Sequence, residues 1–250
     1  MIKIILCAYN EEQNLRKLLT DLTQQLKLLQ REFEIIFCLD GSSDNSEAVI
    51  AEFSKHHKIT ILAKENTRGL GVAYKKIFLY VLKNFNDEDL IISLDADNTH
   101  NPMQIHEMVN HFQEKSLDFL VASRFFEKSL ISSFPFHRKL ISKSTSLILQ
   151  ILFGAKNIHQ KNILDYTSGY RIYKGKTLRK IYEKYQDNFI TEPEFTYTCE
   201  LLIKISKLSM RLDEVSILYD YHKKIGASKM RILQNSYRLF LMIFNLKFRK

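Results

Sequence analysis

The sequence predicts an α/β fold in which a mostly parallel sheet is flanked by helices. Short β-branched runs alternate with longer stretches whose apolar residues recur about every 3.6 positions, the pattern of βα units. Four successive runs end in polar loops, as the strands of an open parallel sheet do. The 250 residues are 45% hydrophobic, enough to bury a substantial core, and the 7 Gly and 3 Pro are nowhere clustered into a linker. The chain therefore reads as one large domain over residues 1–230, followed by a basic amphipathic helix over residues 231–250.

Ile2 to Cys7 is the first strand. Leu15, Leu18, Leu19, Leu22, Leu26 and Leu29 then mark one apolar stripe of a helix. Phe33 to Leu39 is the second strand and ends in "DGSSDNS", where Asp44 or Ser46 is expected to cap the next helix. Ile59 to Ala63 is the third strand, and Val72 to Leu82 a helix. Leu90 to Leu94 is the fourth strand, Pro102 suits the first turn of the helix that follows, and Phe119 to Ala122 opens a fifth strand running into "SRF".

Composition bounds the function. A net charge of +9 points to an anionic partner. Nucleic acid is disfavoured, because no zinc-finger spacing, RRM aromatic signature or helix-turn-helix is present. Cys7, Cys38 and Cys199 are scattered, as reduced core residues of a cytosolic protein are. The first apolar run is too short for a signal peptide. The later ones, "LILQILFG" and "LFLMIFNL", fall short of the ~18–20 residues that span a bilayer, so the chain is expected to be soluble or to lie on a membrane. The segments "HRKLISKSTSLILQILFG" and "RILQNSYRLFLMIFNLKFRK" mix apolar faces with Arg and Lys, which fits core helices, dimer helices or helices lying in a membrane surface.

"LIISLDADNTH" drives an apolar run into two aspartates at i and i+2. In extended chain these project from one face, so Asp95 and Asp97 can approach one hard cation, Mg²⁺ or Mn²⁺. An isolated D-x-D more often ends a strand or caps a helix. Here Tyr9, Asn10, Glu11, Asp40, Asp44 and Arg124 also fall at strand ends, which favours a ligand site.

"ILCAYNEEQNL", "LDGSSDNS", "ENTRGLGVAYK" and "SLDADNTH", in this order, resemble the family-2 inverting glycosyltransferases with a GT-A, Rossmann-like fold. "ASRF", "FHRKLIS", "LDYTSGYRIY", "CELLIK", "DEVSILY" and "GASKM" narrow the likeness to the dolichyl- or polyprenyl-phosphate mannose and glucose synthases, over about residues 1–232. The resemblance implies transfer of a hexose from a GDP- or UDP-sugar to a polyprenyl or dolichyl phosphate, on the cytoplasmic face of a membrane, with Mg²⁺ or Mn²⁺, and it leaves open a separate membrane-anchoring subunit. By the same resemblance, Ala8, Tyr9, Asn10, Glu11, Asp40, Arg68, Asp95, Ala96 and Asp97 would hold the nucleotide-sugar, and Asp95 with Asp97 the metal. Arg124, Arg138, Lys223, Lys224, Ser228 and Lys229 would gather the acceptor phosphate, with Asp97, Arg124 and Arg138 acting in catalysis.

Two positions depart from the synthase pattern. Thr99 stands where a Gln is usual, so a third metal ligand would be a hydroxyl or water. Lys223 and Lys224 stand where an Arg is usual, and Lys lacks the bidentate fork. These departures keep open an inactive nucleotide-sugar-binding or scaffolding domain.

A sugar hydroxyl acceptor also stays open, with Glu192, Glu194 or Glu200 as general base; otherwise these glutamates serve the dipole of a nearby helix. In "DYTSGYR", Asp165, Ser168 and Arg171 are expected either to serve the site or to form a structural turn in which Asp165 orients Arg171. None of the eight histidines is assigned to metal, and His100 is expected to be exposed or capping.

Overall fold

The computed structural model describes residues 1–39, 41–62, 69–226 and 231–248. Nine strands and eight α-helices are found among them. In chain order they are β1 (Ile2–Ala8), α1 (Glu12–Leu28), β2 (Phe33–Leu39), α2 (Ser46–Ser54), β3 (Ile59–Leu62), α3 (Leu70–Lys83), β4 (Leu90–Ser93), α4 (Ile105–Glu114) and β5 (Phe119–Ser123). Then come β6 (Leu130–Ser132), α5 (Phe136–Phe153), β7 (Arg171–Lys174), α6 (Gly175–Tyr185), α7 (Tyr197–Ser206), β8 (Leu212–Ser216), β9 (Leu218–Asp220) and α8 (Ile232–Phe248).

The main sheet has the order β3-β2-β1-β4-β7-β5-β8. The chain moves outward from β1 to β3 and then crosses back to β4 on the other side of β1. The strand order thus reverses between β1 and β4, and a crevice opens there at the strands' carboxyl ends, although α1 and α4 pack on the same face of the sheet. β7 alone runs antiparallel, between β4 and β5, so the expected mostly parallel sheet is found with one reversed strand. β6 and β9 pair in parallel as a small second sheet.

β1 is almost wholly buried because both sheet faces are covered. Ile2, Ile4 and Leu6 face the leucines of α1, while Ile5 faces Tyr74, Ile77 and Phe78 of α3. The stripe read from the sequence is the buried face of α1: Leu15, Leu18, Leu19, Leu22 and Leu26 have no exposed surface. Each such side chain contributes about 1.5–3 kcal/mol on leaving water.

Local chemistry differs from expectation at α2. Its N-cap is Asn45, without a side-chain cap bond. Asp44 instead accepts from Ser46 N at 3.0 Å with one oxygen and from Glu12 N at 3.0 Å with the other. Ser46 Oγ accepts from Glu11 N at 3.0 Å. Asp44 and Ser46 therefore tie the starts of α1 and α2 together, and these bonds hold the Asp44 carboxyl below the usual range although burial opposes them.

Two glycines set the start of α3. Gly69 has φ of 147°, and a Cβ on Gly71 would lie 2.0 Å from the carbonyl oxygen of Glu192. Gly71 N donates to Pro193 O at 2.9 Å, which brings residues 194–196 to the crevice. α5 and α8 lie at the surface, each with only two buried residues, Ser146 and Leu149 in the one, Asn235 and Met242 in the other.

Candidate active site

The crevice holds a cavity of about 500 Å³. Its walls come from the ends of β1 (Ala8, Tyr9, Glu11) and β4 (Asp95, Ala96, Asp97), from Arg124 after β5, and from Tyr219, Tyr221 and Lys224 around and after β9. Arg138, Ile141 and Thr145 of α5 face Ile232, Asn235 and Leu239 of α8 across the rest of it. One end is thus rich in charge, while the α5–α8 end mixes Ile141, Ile232 and Leu239 with the hydroxyl and amide side chains of Ser142, Thr145, Asn235 and Ser236.

Asp97 is fully engaged. Its Oδ1 accepts from Thr99 N at 3.2 Å and Thr99 Oγ1 at 2.6 Å, and its Oδ2 pairs with Lys224 Nζ at 2.5 Å. Burial would raise this carboxyl, but Lys224 and Thr99 outweigh it and hold Asp97 below the usual range. Asp95 is the opposite case. Among the described residues no hydrogen bond reaches its carboxylate, 36% of its side chain is exposed, and burial with the neighbouring Asp97 charge pushes it up.

A divalent cation suits this pair. Two hard carboxylates share one cavity, one of them held at a cost that a cation relieves. Among the described residues no third His, Cys, Asp or Glu completes a metal cluster, so water and substrate phosphate would supply the remaining ligands. The Thr99 hydroxyl does not present itself as a ligand: it is buried and spent on Asp97.

His100 corrects the sequence expectation. It is buried, not exposed, because Tyr170 stacks on it at 5.1 Å, Tyr219 meets it edge-on, and Asp95 N donates to its Nδ1 at 3.0 Å. Burial lowers its pKa, and Nδ1 as acceptor leaves the proton on Nε2.

Asp165 is a second correction. It does not orient Arg171; it binds Arg124 with both oxygens, Nε to Oδ2 at 2.8 Å and Nη2 to Oδ1 at 2.9 Å. Arg171 instead donates to the carbonyls of Thr198 and Tyr166 and lies over Phe119, because β7 carries it to the interior face. The Arg124 guanidinium sits over Phe125, Phe134 and Tyr219, and among the described residues its Nη1 takes no hydrogen bond.

Arg138, in the first turn of α5, donates to Tyr221 Oη at 3.1 Å. Lys223 lies exposed outside the cavity wall, so Lys224 is the lysine of that pair that enters the site. Asn10 is not in the wall. Its φ of 52° turns the loop, and its Oδ1 accepts from Ser43 N at 2.8 Å. Asp40, Arg68, Ser228 and Lys229 lie outside the described residues.

Of the three glutamates, Glu194 lines the cavity. Glu200 is buried and spent on Thr191, the Glu192 backbone and Lys204, and Glu192 accepts from Thr196.

Sequence patterns did not single out Asn14, which proves to be a junction. Its amide donates to Glu11 Oε2 at 2.6 Å and to Ile225 O at 3.2 Å, its Oδ1 accepts from Ile225 N at 3.2 Å, and its carbonyl accepts from Asn98 Nδ2 at 2.9 Å. Only its helical i+3 spacing from Glu11 hinted at this. Thr167, Tyr219, Tyr221 and Arg231 were likewise unforeseen members of the wall.

The sequence profile described as Glycosyl transferase family 2 matches residues 3–186. The chain belongs to glycosyl transferase family 2. This glycosyltransferase is similar to the undecaprenyl-phosphate mannosyltransferase of Micrococcus luteus, 28% identical over 191 residues that span 76% of this chain and 71% of that one. It is similar to the polyprenol monophosphomannose synthase of Mycolicibacterium smegmatis, 23% identical over 91% of this chain and 80% of that one. The glucosyl-3-phosphoglycerate synthase of Mycobacterium tuberculosis, solved with Mn²⁺, UDP and glucosyl-3-phosphoglycerate, has the same fold: TM-score 0.65 at 16% identity, over 99% of this chain and 80% of that one. The GT-A architecture expected from the sequence is the one found.

Proposed function

We propose that this family-2 glycosyltransferase moves a hexose, with inversion, from a GDP- or UDP-sugar to a polyprenyl or dolichyl phosphate at a membrane surface. One observation carries the reading: Asp95 and Asp97 share a cavity with Arg124, Arg138 and Lys224, and that cavity continues between α5 and α8, past Ile141, Ile232 and Leu239. The names of the bacterial relatives support the same acceptor class.

The donor's nucleotide would lie along Ala8, Tyr9 and Glu11, with its diphosphate toward Asp95 and Asp97. A Mg²⁺ or Mn²⁺ held there by the two aspartates would stabilise the charge on the departing diphosphate. Arg124, locked by Asp165, presents a pre-set guanidinium edge, so little reorganisation is needed when an anion arrives. Arg138 can orient a phosphate by two parallel bonds, which Lys cannot do. A phosphate monoester, with its second pKa near ~6, attacks as an anion and needs no general base.

α5 and α8 expose Phe136, Leu140, Leu147, Ile151, Leu233, Phe240 and Phe244 beside Lys139, Lys143 and Arg231. That mixture suits a helix pair lying on an anionic bilayer, with apolar groups among acyl chains and cations at headgroups. Among the described residues no helix is long and apolar enough to cross a membrane. Cys7, Cys38 and Cys199, present as thiols, fit the cytoplasmic face.

A donor screen by mass spectrometry, with polyprenyl phosphate present or absent, tests the reading. Product that appears only with the lipid phosphate supports it, and Arg138→Lys should then impair transfer strongly while donor binding stays within a few-fold. Glu194→Gln that folds but is inactive, beside a fully active Arg138→Lys, would assign a hydroxyl acceptor with Glu194 as base, since Glu194 is in the wall. No turnover of any donor would leave a binding or scaffolding domain.

A further inference from the structure

Asp97 has one partner that the transfer reaction does not explain. Lys224 Nζ lies 2.5 Å from Asp97 Oδ2, although the two residues are 127 positions apart. Both side chains are about nine-tenths buried. A Mg²⁺ or Mn²⁺ binding a carboxylate oxygen sits at about 2.0–2.2 Å. At Oδ2 it would lie against the ammonium, two like charges in a cavity where water screens them poorly. Thr99 already occupies Oδ1, so Oδ2 is the oxygen that both cations would use.

We propose that Lys224 and the divalent cation hold Asp97 by turns, so that cation loading frees residues 222–226 and makes the Lys224 ammonium available to an incoming acceptor phosphate. This rests on the cation part of the proposed function.

The rest of the segment's anchorage fits a releasable latch. Besides the ion pair, among the described residues its hydrogen bonds to the donor side are those of the clasp in which Asn14 binds both Ile225 N and Ile225 O. Lys224 N donates within its own turn, to Tyr221 O at 3.3 Å. Asn14 sits one turn into α1 and also holds Glu11 and Asn98, so the clasp and the ion pair both join the donor side of the cavity to this one segment. Tyr221 stays anchored by Arg138 and Phe134, so losing the ion pair leaves the neutral clasp against the freedom gained by residues 222–226.

Linkage makes the inference measurable: whatever factor the latch takes from metal affinity, the metal must take from the latch. Mn²⁺ alone is titrated into the full chain, with unbound Mn²⁺ read by electron paramagnetic resonance, and hydrogen exchange at the Ile225 amide is followed in parallel. Lys224→Met and Lys224→Gln should each bind Mn²⁺ at least ~5-fold tighter than the wild type, the low end of ordinary coupling between sites. In the wild type, saturating Mn²⁺ should speed Ile225 exchange by a similar factor. In the variants exchange should start fast and not respond to Mn²⁺. Asp97→Asn should lose Mn²⁺ binding, which locates the ion.

Equal affinity in wild type and both variants, or unchanged Ile225 exchange at saturation, overturns the latch while the cation site stands. Weaker binding in both variants overturns it too, since Lys224 would then be building the site. If no protein in the series binds Mn²⁺, the cation reading fails and the latch fails with it.

Discussion

Arg124 and Asp165, 41 positions apart, meet in a two-pronged ion pair in which Arg124 is 9% exposed and Asp165 not at all. Asp165 also accepts from the backbone N–H groups of Arg124, Thr167 and Ser168. Burial alone would raise this carboxyl and lower the guanidinium, yet each partner reverses the effect on the other, and both stay charged. The pair thus fixes a permanent cation in the wall of the cavity.

Asp165→Ala should be severely destabilising. It strands a buried guanidinium and orphans three backbone donors, and breaking such a pair from one side costs about 3–5 kcal/mol. Chemical denaturation gives the value. A loss below about 1 kcal/mol would mean that Arg124 finds solvent easily and is not locked.

Transfer should depend on a divalent cation, and Asp97→Ala should lower kcat by at least ~10²-fold, the scale on which one transition-state charge stabiliser is lost. Turnover assays with and without chelator decide the first point. Full activity in excess EDTA removes the metal from the mechanism.

Glu214 should make stability fall as pH rises. Burial, aided by Asp165 and Asp213, pushes its carboxyl up to about 7, while Leu164 N–H and the Ser123 hydroxyl oppose the shift. The unfolded value is near ~4.3. The folded state therefore holds this proton more tightly, and stability is full below ~4.3 and lost as pH rises through about 7. The loss is on the order of 3 kcal/mol by pH 8. Glu214→Gln should flatten the difference between urea midpoints at pH 5 and pH 8. A variant that keeps the wild-type slope assigns it to other groups.

The protein should float with anionic vesicles at low salt and be released as salt rises, because screening shortens the reach of headgroup charge. Ile151 and Phe240, 76% and 65% exposed on α5 and α8, are the side chains to change. Ile151→Glu with Phe240→Glu should abolish flotation without changing the melting temperature. Absence of wild-type flotation even at low salt would falsify the membrane-surface reading.

Much of the fold was legible in order. The leucines of α1, the four polar strand ends and the i, i+2 aspartates are local patterns, set by helical and extended periodicity, and neighbours in sequence suffice to read them. The resemblance of serial motifs added the family, and Asp95, Asp97, Arg124 and Arg138 do meet in one cavity.

Which partner each charge takes was decided by tertiary structure. Asp165 and Arg171 are near in sequence, yet the reversed β7 turns Arg171 to the interior and leaves Asp165 to Arg124. His100 looked like a loop residue until Tyr170 and Tyr219, 70 and 119 positions on, closed over it. Lys223 and Lys224 are chemically identical in sequence, and only the turn after β9 sends one to Asp97 and the other to solvent. By itself the sequence determined the elements, their order and the chemical types at the strand ends, because these follow from periodicities of 2 and 3.6 residues. The pairing of those charges required the sheet order β1-β4-β7-β5, since an ion pair is settled by distance across the fold, a quantity that no local spacing contains.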